Sequence, residues 1–470
     1  MIFSAFVVFG LTVVLGTMIS VILIPGRRNY DLVPLWLIRF GFGWGLGCGL
    51  WSWLTYLTLR VELLGAYRFV IELLISMVIF LYFLHFCFHN PNHSKNVTGD
   101  SPSTPSRSFT TVALVSIFLF SFLVAISLQI LQSINNPHGE WDAWSFWNLR
   151  ASFFFYNYPD WMTAFDRESA NSNLDYPLFL PCLVFRIWHW GGANSVIVPA
   201  MIGLGFTIAT VVLLVGALWL LKSMNQGLVA GICLLSVKMF VVNGADQLND
   251  VPLAFYLVSS IVSISFFLVN EKITLKPLIL SGVFLGILIW TKNDAQLASA
   301  SLVISTFIVF VCYYKVISFY DLFVLLITSF PFFVMLSDFK INVAPLKNAY
   351  VSVDYWPRIS SQLLELNRYW IILQRFITEF FTFHRWGYFV PFLVLYSLVK
   401  GFDVEKNLKP IILTSFMTVL MIVAGYFFVY VITPQELVVH LDTSLNRLFI
   451  HILPTLLFAF FLTVGKIEKC

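Results

Sequence analysis

Charged residues are scarce in this chain. They make up 11% of the 470 residues, and hydrophobic residues make up 59%, whereas a soluble domain carries about 25% charged residues. Such a sequence lacks the polar surface that water requires, which excludes an ordinary soluble globular protein. The net charge is only +4, and the basic residues form no stripe interleaved with aromatics. The sequence therefore argues against nucleic acid as a partner.

Paired cysteines and nucleotide-binding motifs are also missing. The six cysteines are scattered, mostly in apolar runs, at positions 48, 87, 182, 233, 312 and 470. Without a CxxC or HExxH spacing, the sequence argues against a cysteine zinc site and a disulfide framework. No Walker motif is present, and the short loops that we assign below to the cytoplasm leave no room for a nucleotide-binding domain.

Long hydrophobic runs fill most of the chain instead. A helix of about 20 residues crosses the roughly 30 Å hydrocarbon core of a bilayer, and these runs lack the period-2 alternation of barrel strands. We predict an all-α polytopic membrane protein with about 13 transmembrane helices. The first run has no basic n-region or cleavage site, so we interpret it as a span. The predicted spans are 3–24, 34–57, 69–88, 110–133, 195–221, 227–243, 251–270, 276–291, 295–314, 320–337, 386–400, 409–432 and 446–465.

Lysine and arginine positions predict the orientation, because these residues collect in short cytoplasmic loops. The short loops 244–250 and 433–445 contain neither residue. We therefore predict that the N-terminus lies outside, that the C-terminus is cytoplasmic, and that the long loops 134–194 and 338–385 lie outside. The basic residues that fall on the predicted cytoplasmic face are Arg27, Arg28, Lys95, Arg107, Lys222, Lys272, Lys276, Lys315, Lys400, Lys406, Lys409, Lys466 and Lys469.

The long loops divide the chain into four parts. This division requires residues 177–190 to form a helix at the outer interface rather than a span, which suits their length and their Trp and Arg content. The parts are extra N-terminal helices with a cytoplasmic loop (1–109), a transmembrane module that includes the first outer loop (110–337), a second outer loop (338–385) and C-terminal helices (386–470).

Ionisable residues gather at the predicted outer ends of the spans, and charge near membrane depth marks a candidate site. Glu140 and Asp142 are the sharpest feature, just outside the fourth predicted span. Two acids at this spacing can hold a divalent cation such as Mg²⁺ or Mn²⁺, or one acid can take a proton from an attacking hydroxyl. Alternatively, the two acids have only a structural role. They would then stabilise the N-terminus of a helix over 141–150 or simply belong to a solvated loop.

The outer-face cations and Trp141 also have structural alternatives. Trp141 can wall a site or belong only to an interfacial aromatic belt. A basic side chain can bind phosphate or merely snorkel along the interface. These cations are Arg150, Arg186, Lys292 and Arg447.

Two further residues stand out by position. Lys238 lies within a predicted span, where it can pair with Asp246 or Asp250 or reach a phosphate. His440 can carry a proton near neutral pH or make a structural hydrogen bond. Both belong to the set of candidate site residues.

Five segments in order carry a resemblance to a known class. They resemble the GT-C superfamily of membrane glycosyltransferases, which includes protein O-mannosyltransferases and aminoarabinose transferases, and within it a bacterial subgroup of unassigned substrate. The resemblance covers roughly residues 110–330 and 425–455. In the relatives the acidic loop follows the first span, whereas here it follows the fourth. The segments are WDAWSFWNLRA, DYPLFLP, NDVPLAFY, WTKND and TPQELVVHLDTSLNR.

The resemblance implies a GT-C-like fold and a sugar donor carried by polyprenyl phosphate at the outer face of a bacterial inner membrane. The acceptor is a hydroxyl of a glycan, lipid or protein. Glu140-Trp141-Asp142 resembles the acidic motif of the family's first outer loop, which implies that Asp142 is the catalytic base of an inverting transfer.

Other matches imply a substrate-binding set. Asp175-Tyr176-Pro177-Leu178 resembles the family's Pro-Pro-Leu segment, Asp250 resembles the aspartate that opens a later span, and Thr291-Lys292-Asn293 resembles a Thr-Lys-Gly step. Relatives often carry a phosphate-contacting lysine before Pro-Pro-Leu, but Asp175 and Tyr176 stand here, so another cation must supply that contact. The predicted catalytic residues are Asp142 and Glu140, and the predicted substrate-binding residues are Trp141, Arg150, Asp175, Tyr176, Lys238, Asp250, Lys292, His440 and Arg447.

Two other classes stay open at this point. A transporter or flippase of lipid-linked glycans would need polar groups at the bilayer midplane and broken helices. A non-catalytic subunit of a glycan-assembly complex would need no reactive cluster. An oligosaccharide ligase or polymerase is a related enzymatic alternative, since it shares lipid-linked donors.

Overall fold

The computed structural model describes residues 2–24, 31–61, 65, 67–89, 109–166, 173–269, 274–314, 319–344 and 355–467. Within these ranges the chain is helical, and its only β-structure is a single bridge between Phe402 and Val464. The α-helices, numbered in chain order, are α1 (Ile2–Leu23), α2 (Leu32–Arg60), α3 (Arg68–His89), α4 (Phe109–Asn135), α5 (Asn148–Asn157), α6 (Phe179–Gly191), α7 (Ile197–Leu221), α8 (Met224–Ser236), α9 (Lys238–Ala245), α10 (Asp250–Val269), α11 (Lys276–Thr291), α12 (Asp294–Tyr314), α13 (Phe319–Asp338), α14 (Tyr355–Leu364), α15 (Leu366–Glu379), α16 (Phe383–Trp386), α17 (Phe389–Lys400), α18 (Lys409–Val431) and α19 (Leu437–Thr463).

Many of these helices are long and apolar enough to cross a membrane. Among the described residues there are ten, or eleven if α8 and α9, which meet at a 68° bend, form one span. This architecture is that of a multi-pass membrane protein, as the sequence predicted. Two shorter apolar helices, α11 and α17, have 16 and 12 residues. The count of 13 spans and the GT-C fold stay predictions.

The most deeply buried helix is α10. Apart from Asp250, its first residue, it carries no charged side chain, and nearly all of its residues are buried. Helices α7, α11 and α19 pack around it. Small residues allow close approach, as where Ser281 of α11 donates to the Ser260 carbonyl at 3.0 Å. A helix that is apolar on every side must be surrounded, so packing fixes Asp250 at one end of the bundle.

The N-terminal helices pack into the same bundle. A Cβ on Gly16 of α1 would lie 2.0 Å from the carbonyl oxygen of Gly43 in α2, so this crossing requires glycine. Helix α2 also packs against α6 and α7, and Tyr256 of α10 donates to the Gly45 carbonyl at 2.8 Å. Helices α3 and α4, by contrast, leave most of their apolar side chains exposed, as expected at a lipid boundary.

The helix predicted at 177–190 is α6. It begins at Phe179 and ends where Gly192 adopts the left-handed conformation, with φ of 75°, a common helix stop. Thirteen residues are too few to span a core of about 30 Å. Most of its side chains are buried, against α1, α2 and α5, so this helix supports the predicted outer loop from within the bundle.

The segment predicted as the second outer loop, 338–385, contains helices, while its outer location stays a prediction. It contains two amphipathic helices, α14 and α15, and α15 packs against α18 and α19. Arg368 of α15 donates to the carbonyl oxygens of Val431 and Tyr430 at 3.1 and 3.3 Å. The predicted span 386–400 is α17, which at 1.5 Å per residue is only about 18 Å long. Helices α15, α16 and α17 follow one another in the chain, with breaks at 380–382 and 387–388.

The short turns at the two ends of the bundle differ in their number of lysines. We call the end that carries the turns 136–142, 246–249 and 292–294 the site end. At the opposite end Lys466 pairs with Glu405 at 2.8 Å. The described lysines there are Lys222, Lys276, Lys400, Lys406, Lys409 and Lys466.

This gathering of lysines agrees with the predicted charge asymmetry, while the assignment of that end to the cytoplasm stays a prediction. The remaining basic residues used for the orientation lie outside the described residues: Arg27, Arg28, Lys95, Arg107, Lys272, Lys315 and Lys469.

Candidate functional site

Asp250 is the first residue of α10, and its side chain is fully buried. A carboxylate is favoured at a helix N-terminus, because the unpaired backbone N–H groups there carry partial positive charge. Pro252 in the first turn suits the same place. Removing a carboxylate from water still costs several kcal/mol, so this position needs cationic partners.

Three basic side chains supply the partners of this carboxylate. Lys292 Nζ and His451 Nε2 lie 2.8 and 2.7 Å from Oδ1, and Arg447 Nη2 lies 3.1 Å from Oδ2. Lys292 directly follows α11, whereas Arg447 and His451 are four residues apart on one face of α19. Because a carboxylate only accepts, His451 Nε2 carries a proton, and Nδ1 faces the Tyr426 hydroxyl at 2.8 Å.

Arg447 also joins Asp250 to Asp142. Its Nη1 lies 2.6 Å from Oδ2 of Asp142, so one guanidinium bridges two carboxylates. Asp142 stands directly before a π-helical segment, Ala143–Trp147, a geometry that is frequent at functional sites. The side chains of Asp142 and Arg447 are 22% and 20% exposed, whereas that of Asp250 is 0% exposed. Solvent therefore reaches the network at the Asp142 side.

Lys292 has a second carboxylate partner, Asp294, at 3.1 Å. Three carboxylates thus face two permanent cations, which leaves one negative charge in excess when His451 is neutral. An incoming phosphate would have to displace a carboxylate from a cation, and the accessible carboxylates are Asp142 and Asp294, with side chains 22% and 30% exposed. We call this group the Asp250 cluster: Asp142, Asp250, Lys292, Asp294, Arg447 and His451.

Tyr176 and Arg150 belong to the loop beside the Asp250 cluster. Tyr176 stacks on Phe146 with ring centroids 5.6 Å apart, and burial raises the pKa of its phenol. Arg150 donates to the carbonyl oxygens of Asn173 and Tyr176. Burial lowers the pKa of Arg150 to about 10, which leaves it charged at neutral pH. Arg150 therefore holds the loop, and the structure places it outside the Asp250 cluster.

Asp175 borders the cluster through its hydrogen bonds. It accepts from Asn293 Nδ2 at 2.8 Å and pairs with Lys340 at 3.4 Å. Lys340 also donates to Asn293 Oδ1 at 2.7 Å. Since Asn293 lies between Lys292 and Asp294 in the chain, these contacts fix the turn that presents Lys292.

The predicted metal site at Glu140 and Asp142 does not fit the residues present. Asp142 is already paired with Arg447, which a divalent cation would have to displace. In the described part of the chain, no three histidine, cysteine, aspartate or glutamate side chains gather as a metal site requires. Glu140 contributes a backbone N–H that donates to the Asp246 carbonyl at 3.1 Å. We therefore derive no step through Mg²⁺ or Mn²⁺.

Three predicted residues are not members of the Asp250 cluster. Lys238 is exposed at the start of α9 and pairs with neither of its predicted carboxylate partners. His440 Nδ1 and the Thr433 hydroxyl lie 2.9 Å apart and share a hydrogen bond. This contact corresponds to the structural role that the sequence left open for His440. Trp141 is half exposed and packs edge-on against Trp144, with centroids 5.9 Å apart, as in an aromatic belt.

Sequence reasoning missed two titratable groups. His451 looks like a core residue of an apolar helix, and its only signal is the four-residue spacing from Arg447. Asp246 was considered only as a partner for Lys238. Burial raises the pKa of Asp246 to about 7, and Gln132 Nε2 donates to it at 3.3 Å. A carboxyl that titrates near neutral pH is suited to proton transfer.

Two buried amides lie close to the cluster along the chain. Asn243 and Asn249 make no side-chain hydrogen bond to the described residues. Asn249 precedes Asp250. Asn243 lies one helical turn beyond Met239, which contacts Asn446 on α19 at 3.9 Å. Each amide can both donate to and accept from a hydroxyl.

Comparisons with protein-family models, with curated proteins and with solved structures find no match to this chain. A functional assignment therefore depends on the Asp250 cluster and on the resemblance carried by its surrounding segments.

Proposed function

We propose that this protein is a glycosyltransferase that moves a sugar from a polyprenyl-phosphate carrier to an acceptor hydroxyl at the outer face of a bacterial inner membrane. The observation that carries the proposal is the bridge that Arg447 makes between Asp142 and Asp250. This bridge supports the proposal because a cation suited to phosphate lies beside an accessible carboxylate suited to accept a proton. Both lie at the end of spanning helices, where a lipid headgroup and an acceptor from water can meet.

In the proposed reaction the acceptor oxygen attacks the anomeric carbon while the bond from that carbon to the carrier's phosphate oxygen breaks. Asp142 takes the proton of the acceptor hydroxyl. The phosphate leaves with its negative charge stabilised by Arg447 and Lys292, and an arginine fork suits phosphate oxygens well. Attack from the side opposite the phosphate inverts the anomeric configuration.

The closed side of the cluster supports this chemistry without touching substrate. Asp250 and His451 are fully buried, so they act as positioning residues that orient Arg447 and Lys292. The unpartnered amides of Asn243 and Asn249 offer donors and acceptors for the sugar hydroxyls.

The test uses purified full-length protein in nanodiscs and a panel of radiolabelled polyprenyl-phosphate sugars, with release of carrier phosphate as the readout. Asp142→Asn keeps the side-chain size but removes the base, and we expect turnover to fall by about 10²–10⁴-fold. The matched control is Asp160→Asn, an exposed aspartate of the same outer loop, which should turn over like wild type. Equal rates for Asp142→Asn and wild type would reject this base. If no donor in the panel released carrier phosphate, the proposal that the protein is an enzyme of this class would be rejected.

A flippase of lipid-linked glycans is the second candidate, and one observation favours it. Helices α8 and α9 meet at a 68° bend, and transporters build their sites at interrupted helices. The Asp250 cluster lies at the end of the bundle rather than midway along it, which favours the enzyme. Asp142→Asn separates the two, because a flippase would continue to move fluorescent lipid-linked glycan across vesicle membranes.

A further inference from the structure

A polar cavity of 180 Å³ lies beside α19, away from the Asp250 cluster. Asp442 on its wall precedes His451 by nine residues, and at 3.6 residues per turn the two face opposite sides of α19. The cavity is therefore distinct from the site described above. Two leucines and six polar side chains line it, and the polar ones are Arg375, Thr378, Glu379, Thr382, Arg385 and Asp442.

Two ion pairs form the polar wall. Arg385 Nη1 lies 2.8 Å from Glu379, and Arg375 Nη2 lies 3.1 Å from Asp442. Glu379 is buried and also accepts from Trp386 Nε1 at 3.0 Å. A guanidinium has five N–H donors, and each pair uses only part of them. The cavity thus offers two cations and two carboxylates with no net charge.

The cavity lies at the depth of lipid headgroups if α19 spans the bilayer. The helix has 27 residues, about 40 Å at 1.5 Å per residue, which matches the roughly 40–45 Å of a bilayer with its headgroups. Asp442 is five residues after the first residue of α19, about 7 Å along the helix. Polar groups at that depth meet phosphate and ammonium rather than acyl chains.

One face of α15 is apolar and exposed. Its side chains at helical spacing on and just after α15 are Trp370, Leu373, Ile377 and Phe381. At about 100° per residue this face is turned well away from Arg375 and Glu379, which line the cavity from another side of the helix. Helix α15 therefore lies at a lipid boundary, which favours a lipid headgroup over a free solute as the occupant of the cavity.

We propose that this cavity binds a zwitterionic phospholipid whose headgroup carries a phosphate and a primary ammonium. The phosphate accepts from Arg375 and Arg385, and the ammonium donates to Asp442 and Glu379. A purely anionic headgroup would leave both carboxylates facing like charge. A quaternary ammonium has no N–H to donate, so a choline headgroup loses half of the complementarity.

The test titrates delipidated full-length protein in detergent with defined lipids and counts bound lipid by native mass spectrometry. The probes are phosphatidylethanolamine, its mono-, di- and trimethylated forms, and phosphatidylglycerol. We expect one tight site for phosphatidylethanolamine, affinity that falls with each added methyl group, and at least tenfold weaker phosphatidylglycerol. Equal affinity for ethanolamine and glycerol headgroups would mean a general anion site and would overturn the proposal.

Variants locate the site. Asp442→Asn and Arg375→Gln should each weaken phosphatidylethanolamine binding at least tenfold. The control Arg60→Gln, which removes an arginine from a different ion pair at the site end, should leave it unchanged. Unaltered binding in both cavity variants would contradict the proposal. The methylation series on wild type decides the matter even where a variant fails to fold.

Discussion

Two buried charge clusters share a plan but differ in their surroundings. In the Asp250 cluster a carboxylate lies between cations from two other helices. In the second, Glu72 of α3 lies between Arg68 and Arg186, at 3.2 and 2.9 Å. We call this second group the Glu72 cluster. In both, a carboxylate out of water is compensated at short range.

The Glu72 cluster is closed by its own neighbours. Arg186 lies over the ring of Trp51 at 4.4 Å and donates to Thr12 at 2.9 Å. Arg68 lies over the ring of Phe185 at 4.9 Å. Aromatic faces stabilise a guanidinium that has lost its water. Its charges therefore hold α1, α2, α3 and α6 together and leave no side for a substrate.

The Asp250 cluster is open to solvent at Asp142, Arg447 and Asp294, whose side chains are 22%, 20% and 30% exposed. Burial of charge alone therefore does not distinguish a catalytic site from a structural one in this bundle. The distinguishing property is an ion pair that a ligand can reach and displace.

The largest expected effect is on stability, and it should be of similar order in the two clusters. Glu72→Gln leaves Arg68 and Arg186 without their carboxylate, which should lower the free energy of unfolding by about 3–5 kcal/mol. Asp250→Asn removes the fully buried carboxylate, but Lys292 keeps Asp294 and Arg447 keeps Asp142, so its loss should lie at the low end of that range. Denaturant unfolding in detergent measures this loss. Turnover per folded molecule should stay close to that of wild type in Glu72→Gln and should be largely lost in Asp250→Asn. Loss of turnover in both variants would remove the distinction between structural and catalytic clusters.

The pH dependence of stability should reveal Asp246. Burial raises its pKa to about 7, so folding favours the neutral carboxyl. Its contribution to stability is complete below its ordinary pKa of about 4 and is lost as pH rises through about 7. The loss is on the order of 4 kcal/mol at most. Unfolding of wild type and Asp246→Asn from pH 4 to 8 measures it, and parallel curves would contradict the raised pKa.

Arg447→Lys tests the open side of the Asp250 cluster. Lysine keeps the charge but loses the fork that reaches Asp142 and Asp250 together. Turnover should fall about tenfold, or about 1.4 kcal/mol in activation free energy. Arg60→Lys is the matched control, because Arg60 pairs only with Asp338 among the described carboxylates, at 3.0 Å. Equal losses in the two variants would indicate a general effect on folding.

The smallest expected effect concerns the same exposed pair. Arg60 and Asp338 are 38% and 29% exposed, and such pairs contribute about 0–1 kcal/mol. Asp338 also keeps the Tyr56 hydroxyl at 2.8 Å when the arginine is lost. Arg60→Gln should therefore change the unfolding free energy by less than 1 kcal/mol. A loss as large as that of Glu72→Gln would show that exposure does not separate strong from weak pairs here.

The sequence was sufficient for the helical membrane architecture and for several members of the site. Hydrophobic runs of span length can satisfy their backbone hydrogen bonds in lipid only as helices or closed barrels. Asp142, Asp250, Lys292 and Arg447 were all candidates because ionisable residues near membrane depth mark a candidate site. Their pairing was not predictable, since it depends on how α10, α11 and α19 pack.

Other features depend on contacts that no local pattern encodes. The break between α8 and α9 falls at Ser236-Val237, with neither glycine nor proline to mark it. Arg150 looked like a phosphate ligand, but its guanidinium is used by loop carbonyls more than 20 residues away. His451 resembled a core residue until its neighbours on α10 and α18 were known.

The sidedness of the site end tests the central claim most directly. Trp141 is half exposed, so Trp141→Cys places a thiol beside Asp142. The exposed Cys87 and Cys312, together with Cys470, are replaced by serine. A membrane-impermeant maleimide added to intact cells should label this thiol. Labelling only after the cells are permeabilised would place Asp142 in the cytosol and contradict transfer from a lipid-borne sugar at the outer face.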